Sequence, residues 1–162
     1  MLKLADWKEE KETLHRLAQI LGKHKLASAF QEPQWAHVVL DITPSGFSTG
    51  ILFYAEHTYN IQVDLVQHRI IVETDQGRDS IPLENGTSIQ QYYEGIHQLL
   101  QKFEIDVKIN QTPQEVEDQT PFNQDAHHCH YDPEKSKQAL NLMKFATRTL
   151  SLSLIHISEP TR

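Results

Sequence analysis

The sequence predicts an α+β fold, in which an antiparallel sheet of about five to six strands, arranged as a meander, carries two to three helices on one face. Helical periodicity marks a segment near each end and one in the middle, and residues 35–83 alternate between apolar and polar. The turns between the alternating segments are short, which favours antiparallel pairing because parallel neighbours need long crossover connections.

The first predicted helix covers ADWKEEKETLHRLAQILGK, residues 5–23. Asp6 is a favourable N-cap, and Glu9 follows at capping-box spacing. Apolar residues recur on one face of this helix: Leu14, Leu17 and Leu21. Gly22 favours a stop, while the following HKLASAF leaves open either a longer helix or the start of a strand.

Alternating segments predict the strands, in chain order 35–43, 47–54, 59–66, 69–74 and a short 79–83. Pro82 belongs on an edge strand or its end, because proline cannot donate to the hydrogen-bond ladder. We expect the apolar sets of the first and third strands to pack under the helices. The opposite face of the sheet then carries the following side chains: Trp35, His37, Asp41 and Asp64.

The later elements have clear boundary signals. Ser88 and Gln91 form a capping box at the start of a helix whose apolar residues extend to Phe103. Residues 105–109 alternate and predict a further strand, and a long polar loop follows. Asp132 and the proline after it are the favoured start of a last helix.

The end of the sequence, LSLIHISEPTR or Leu152 to Arg162, is typical of a strand by its alternation. It also resembles the translation of a transposase-end sequencing adapter, and such segments are excluded from fold reasoning. We therefore expect an incomplete single α+β domain in residues 1–151, followed by a non-native tail in residues 152–162.

Composition restricts the class of protein. The formal net charge is −7, and no stripe of Lys and Arg alternates with aromatic residues, which disfavours nucleic-acid binding. No apolar run approaches the ~20 residues of a membrane span, and the N-terminus lacks the apolar region of a signal peptide. The single Cys129 cannot form an internal disulfide. We expect a cytoplasmic protein without a nucleic-acid or membrane partner.

Three groups of residues are candidates for function. DAHHCHYDPE, residues 125–134, holds imidazole and thiolate ligands that Zn²⁺ prefers, although adjacent residues do not surround a metal by themselves and the alternative is a polar loop before a helix cap. The polar sheet face, with Tyr54 and His68 near it, could hold a His–carboxylate pair or contact a partner segment. Lys23 or Lys25 could bind an anion, or simply complement the dipole at a helix C-terminus.

Several segments together resemble the N-terminal half of a bacterial family known as domain of unknown function 5996. They are LHRLAQILGK, WAHVVLDITPSGFSTG, IQVDLVQHRI, YYEGIHQLL and PFNQDAHHCHYDPE. By this resemblance, the residues that match the family pattern are His15, Gly22, Lys23, Trp35, His37, Asp64, His68, Pro121, Phe122, His128, Tyr131 and Asp132. Because the family has one histidine before the Tyr-Asp pair, His127, Cys129 and His130 depart from the pattern.

The resemblance supplies no activity. It implies that the family's chain continues past the last helix, and we expect that further half to pack on this one. The histidines at family positions come from four separate segments: His15, His37, His68 and His128. The residues of a metal or catalytic site usually come from separate segments in this way.

The first hypothesis for function is an enzyme that acts on a small molecule by metal or acid–base chemistry. Its catalytic residues would be His37, Asp64 and His128, and a divalent metal such as zinc would bind His37 and His128. Residues that would bind the substrate are Trp35, Lys23, Tyr54 and His68. The alternatives are a non-catalytic module that binds a ligand or protein, and a face covered by the rest of the family's chain.

Overall fold

The computed structural model describes residues 8–28, 40–114 and 116–158. In chain order, the elements in these ranges are α1 (Lys8–Ser28), β1 (Asp41–Thr43), β2 (Gly46–Ser48), β3 (Leu52–Tyr54), β4 (His57–Asp64), β5 (Arg69–Thr74), β6 (Gly77–Pro82), α2 (Ile89–Lys102), a 3₁₀ turn (Phe122–Gln124) and α3 (Pro133–Ser158). The predicted α+β class is confirmed. Much of the predicted first strand, with Trp35 and His37, lies outside the described residues.

The sheet has six strands in the order β1-β2-β4-β5-β6, with β3 also paired to β4, and every pairing is antiparallel. β5 has the predicted bounds, and β6 is an edge strand that ends at Pro82. The meander follows from the short turns between successive strands.

The predicted strand 47–54 is interrupted. β2 pairs with the end of β4 and β3 with its beginning, and the backbone between them turns at Gly50, where φ is +70°. At the break, Thr49 Oγ1 accepts the N–H of Ile61 in place of a backbone carbonyl. Glycine adopts this left-handed conformation at little cost, so one alternating run becomes two strands.

The helices confirm most of the predicted boundaries. α2 begins with the Ser88–Gln91 capping box, and Asp132 caps α3 by accepting the N–H groups of Glu134 and Lys135. Gly22 does not stop α1, which continues to Ser28, one of the two alternatives. The backbone of α3 is helical to Ser158, so the alternation near the chain end does not form a strand.

The strand predicted at residues 105–109 is wrong. Ile105, Val107 and Ile109 are buried, as the alternation predicted, but the segment pairs with no strand among the described residues. Its first N–H instead donates to Leu100 O at the end of α2. Alternation of apolar residues indicates that one side of an extended chain is buried. A strand also needs a free sheet edge with which to form backbone hydrogen bonds.

The core lies between the helices and one face of the sheet. Ile61, Val63 and Leu65 of the third predicted strand are fully buried, as expected. Apolar residues of α1 and α2 pack against that face: Leu17, Ile20, Leu21, Ile89, Ile96 and Leu100. Ile42, expected to pack under the helices, is 38% exposed. Within the described ranges, no helix is long and apolar enough to cross a membrane.

Candidate active site

A cavity of about 530 Å³ opens between the first half of α1 and the loop that precedes α3. His128 lies on the loop side of its wall, and His15 lies on the helix side. Both charge signs are present there. The basic side chains are Lys8, Lys11 and Arg16, and the acidic ones are Glu12, Glu117 and Asp118. Charged residues therefore contribute much of the lining, and the cavity has the size of small-molecule sites.

A buried carboxylate orients the ring of His128. Asp125 is fully buried, and its Oδ2 lies 2.6 Å from His128 Nδ1. Its other oxygen, Oδ1, accepts the backbone N–H groups of His127 and His128 at 3.0 and 3.1 Å. Because an ionised carboxylate only accepts, Nδ1 carries the hydrogen of this bond. In the neutral ring, Nε2 then keeps its lone pair.

Arg16 balances the charge of Asp125. Its guanidinium is buried, and Nε lies 3.5 Å from Asp125 Oδ2. The two terminal nitrogens donate to backbone carbonyls of Glu12 and Asp118, each at 3.1 Å. Arg16 thus ties α1 to the loop on the other side of the cavity. A buried carboxylate without such a cation would carry a large desolvation cost.

Two further carboxylates lie near the other nitrogen of His128. Nε2 is 3.6 Å from Glu12 Oε2 and 4.0 Å from Asp118 Oδ2. Hydrogen bonds from Thr120 hold the pKa of Asp118 below its ordinary value, which keeps this carboxylate charged. Both groups lie where they stabilise an imidazolium.

The loop that carries His128 is fixed to the N-terminus of α2. Ile89 N–H donates to His128 O at 3.0 Å, and Gln90 N–H donates to Asp125 O at 2.9 Å. These are N–H groups of the first helical turn, which have no partner inside the helix. The loop carbonyls therefore accept the free N–H groups at the start of α2, and these hydrogen bonds hold the backbone of His128 in place.

The carboxylate predicted to orient the catalytic histidines, Asp64, has a different task. Its Oδ1 accepts the N–H groups of Val66 and Gln67 in the turn between β4 and β5. His68 follows at a φ of +58°, and its Nδ1 lies 2.5 Å from the hydroxyl of Tyr131. Burial raises the pKa of that hydroxyl to about 12. Asp64 and His68 thus belong to the turn, and Asp125 is the partner of His128.

Among the residues that the structure describes, the other predicted site residues do not line the cavity. Lys23 is buried within α1, and burial lowers its pKa. Tyr54, at the end of β3, is half-buried and packs against the core. Trp35 and His37 lie outside the described residues. Of the three predicted histidines that the structure describes, His15 and His128 line the same cavity.

The histidines of the cluster have different surroundings. His130 Nε2 pairs with Glu9 of α1 at 3.1 Å, whereas His127 is exposed. In the part of the chain that the structure describes, no group of three or more His, Cys, Asp or Glu side chains is arranged to hold a metal ion. His37, the other predicted zinc ligand, lies outside these residues.

Sequence reasoning did not identify Arg16 and Glu12 as site residues and gave Asp125 no role. A signal for Arg16 was present, because it lies four residues before Ile20 on the apolar face of α1. An arginine on such a face requires a buried partner. Asp125 stands three residues before His128, a spacing at which an aspartate accepts local backbone N–H groups.

The chain was compared with protein families, curated proteins and solved structures. A family model described as "Family of unknown function (DUF5996)" matches residues 1–152. No curated protein and no solved structure matches the chain at a significant level.

Proposed function

The chain belongs to this family of unknown function, DUF5996, and for this member we propose an acid–base enzyme that acts on a small molecule. His128 exchanges a proton with the substrate, and Asp125 positions its ring. The observation that carries the proposal is the 2.6 Å contact between a fully buried Asp125 and a histidine on the cavity wall.

The contact with Asp125 supports Nε2 as the reacting nitrogen of His128. With Nδ1 bonded to Asp125, Nε2 is the atom of His128 that takes and returns a proton. The simplest reaction is hydrolysis of an ester or amide. Nε2 takes a proton from water as the water oxygen attacks the carbonyl carbon, and then returns it to the leaving group as the bond to carbon breaks.

The surroundings of Nε2 support this role. When Nε2 takes the proton, the ring becomes a cation, and Glu12 and Asp118 lie 3.6 and 4.0 Å away. Their negative charge stabilises that cation. Lys8 and Lys11 add positive charge elsewhere on the wall, which suits a substrate with an anionic group.

The test compares the hydrolysis of p-nitrophenyl acetate and butyrate by the wild type, His128→Gln and His127→Gln. We expect His128→Gln to lower kcat/KM by about 100- to 10,000-fold, the usual contribution of a general base. His127, exposed in the same loop, is the matched control and should keep the wild-type rate. Asp125→Asn should lower kcat, because the amide holds the ring in the wrong tautomer.

Other outcomes would assign the cavity differently. Equal rates for the wild type and His128→Gln would refute the acid–base role and favour a non-catalytic binding module. Activity that EDTA removes and zinc restores, with stoichiometric zinc in protein purified without a His tag, would favour a metal bound by His128 and His37. A cytoplasmic, bacterial setting belongs to the proposal, supported by the family resemblance and the single Cys129.

A further inference from the structure

A second, apolar groove lies beside the candidate active site. Its volume is about 510 Å³, and it runs between α1, the β1–β2 hairpin and α3. Its lining comes from all three: Leu14, Ala18, Ile42, Phe47, Leu142 and Met143. Phe47 and Leu14 are buried, whereas Leu142 is 53% exposed. The groove therefore has a buried floor and an open rim.

The groove and the cavity are neighbours. Lys11 and His15 line both of them, one turn apart on α1. The groove and the cavity therefore meet at these two residues, and His128, bonded to Asp125, lines the cavity side. At this junction the lining changes from aliphatic side chains to charged ones, and Lys11 supplies a positive charge.

We propose that the substrate is amphiphilic: a carboxylic acid derivative whose aliphatic chain lies in the groove and whose polar end lies in the cavity. This inference rests on the proposed function and names its substrate class. Burial of an aliphatic chain removes water from the apolar lining, and Lys11 attracts the polar end. The volume lies in the range of about 300–1,000 Å³ that small-molecule sites have.

The test is equilibrium binding, which needs no turnover. Hexanoate, octanoate, decanoate and dodecanoate, each below its micelle-forming concentration, are titrated calorimetrically into the wild type and into His128→Gln. We expect affinity to rise about fourfold per added methylene until the groove is filled. Leu142→Gln should remove this dependence on chain length. Phe145→Gln is the matched control, because Phe145 is exposed on the same helix and does not line the groove.

Each result decides one question. Affinity that ignores chain length, or that Leu142→Gln leaves unchanged, overturns the inference. A dimer in light scattering that Leu142→Gln converts to a monomer also overturns it, because a second copy of the chain then covers the groove. Chain-length-dependent binding without any hydrolysis contradicts the acid–base proposal alone. Hydrolysis of acetate without a chain-length effect contradicts the substrate class alone.

Discussion

The buried His24 predicts how the stability of this protein depends on pH. His24 is fully buried in α1, and its Nδ1 lies 3.1 Å from the hydroxyl oxygen of Tyr59, which donates to Ser28 Oγ. The Tyr59 oxygen therefore accepts, and Nδ1 carries a hydrogen. Nε2 has no hydrogen-bond partner among the described residues. The centroids of the His24 and His97 rings are 5.0 Å apart. Burial, with a smaller contribution from His97, lowers the pKa of His24 to about 3.

The sign of the effect follows from this lowered pKa. In the unfolded chain a histidine titrates near pH 6.5. Between that pH and about 3, His24 is therefore protonated in the unfolded state and neutral in the folded state. The contribution of His24 is complete above pH 6.5 and is lost as the pH falls toward 3. Between pH 7.5 and 5.0 the free energy of unfolding decreases by about 2 kcal/mol from this residue. That is a large part of a typical total of about 5–15 kcal/mol.

Urea denaturation followed by circular dichroism measures this decrease. The wild type and His24→Phe are compared at pH 7.5, 6.0 and 5.0, because phenylalanine fills a similar volume and does not titrate. The variant loses the bond to Tyr59 and starts less stable, but its decrease over this range should be smaller by about 2 kcal/mol. Equal decreases in both proteins would refute the reasoning. His127→Gln, at an exposed position, should behave as the wild type.

Four other substitutions test the structure. Arg16→Leu leaves Asp125 buried without its cation and should lower the free energy of unfolding by about 3–5 kcal/mol in urea denaturation; a loss below about 1 would show that Asp125 does not depend on Arg16. Gly50→Ala forces a left-handed conformation and brings Cβ to 2.9 Å from Asp41 Oδ2, so the melting temperature should fall. In contrast, Gly22→Ala should raise it, because the new Cβ meets no heavy atom within 4 Å among the described residues outside its own helical turn. In alkaline absorbance titration the phenol signal lost in Tyr131→Phe should titrate near pH 12, and a midpoint near pH 10 would contradict its burial.

Local signals in the sequence predicted most of the fold. The alternation of Ile61, Val63 and Leu65 predicted the buried face of β4, and the Ser88–Gln91 pair predicted the start of α2. These succeeded because a side chain's direction and a helix cap depend on residues within one or two turns. The segment 105–109 shows the limit, since no local feature reveals whether a sheet edge is available.

The candidate site was also predicted only in part from the sequence. His128 was selected by its motif, and the cap at Asp132 was predicted by its neighbours. The contact from Arg16 to Asp118 O spans 102 positions of the chain, and no periodicity encodes such a separation. The Asp64 carboxylate accepts the N–H groups of its own turn, a contact that becomes visible only with the path of the backbone.

The sequence by itself determined the class of fold, the order of the elements and the histidine to examine, because these follow from short-range patterning and side-chain chemistry. Only the tertiary structure decided that Asp125 holds His128, that Arg16 balances Asp125, and that the cavity adjoins an apolar groove at Lys11 and His15. The physical reason is that a site is a three-dimensional arrangement of buried charges. Which charges are buried together depends on how α1, the loop and α3 pack, and not on any one segment.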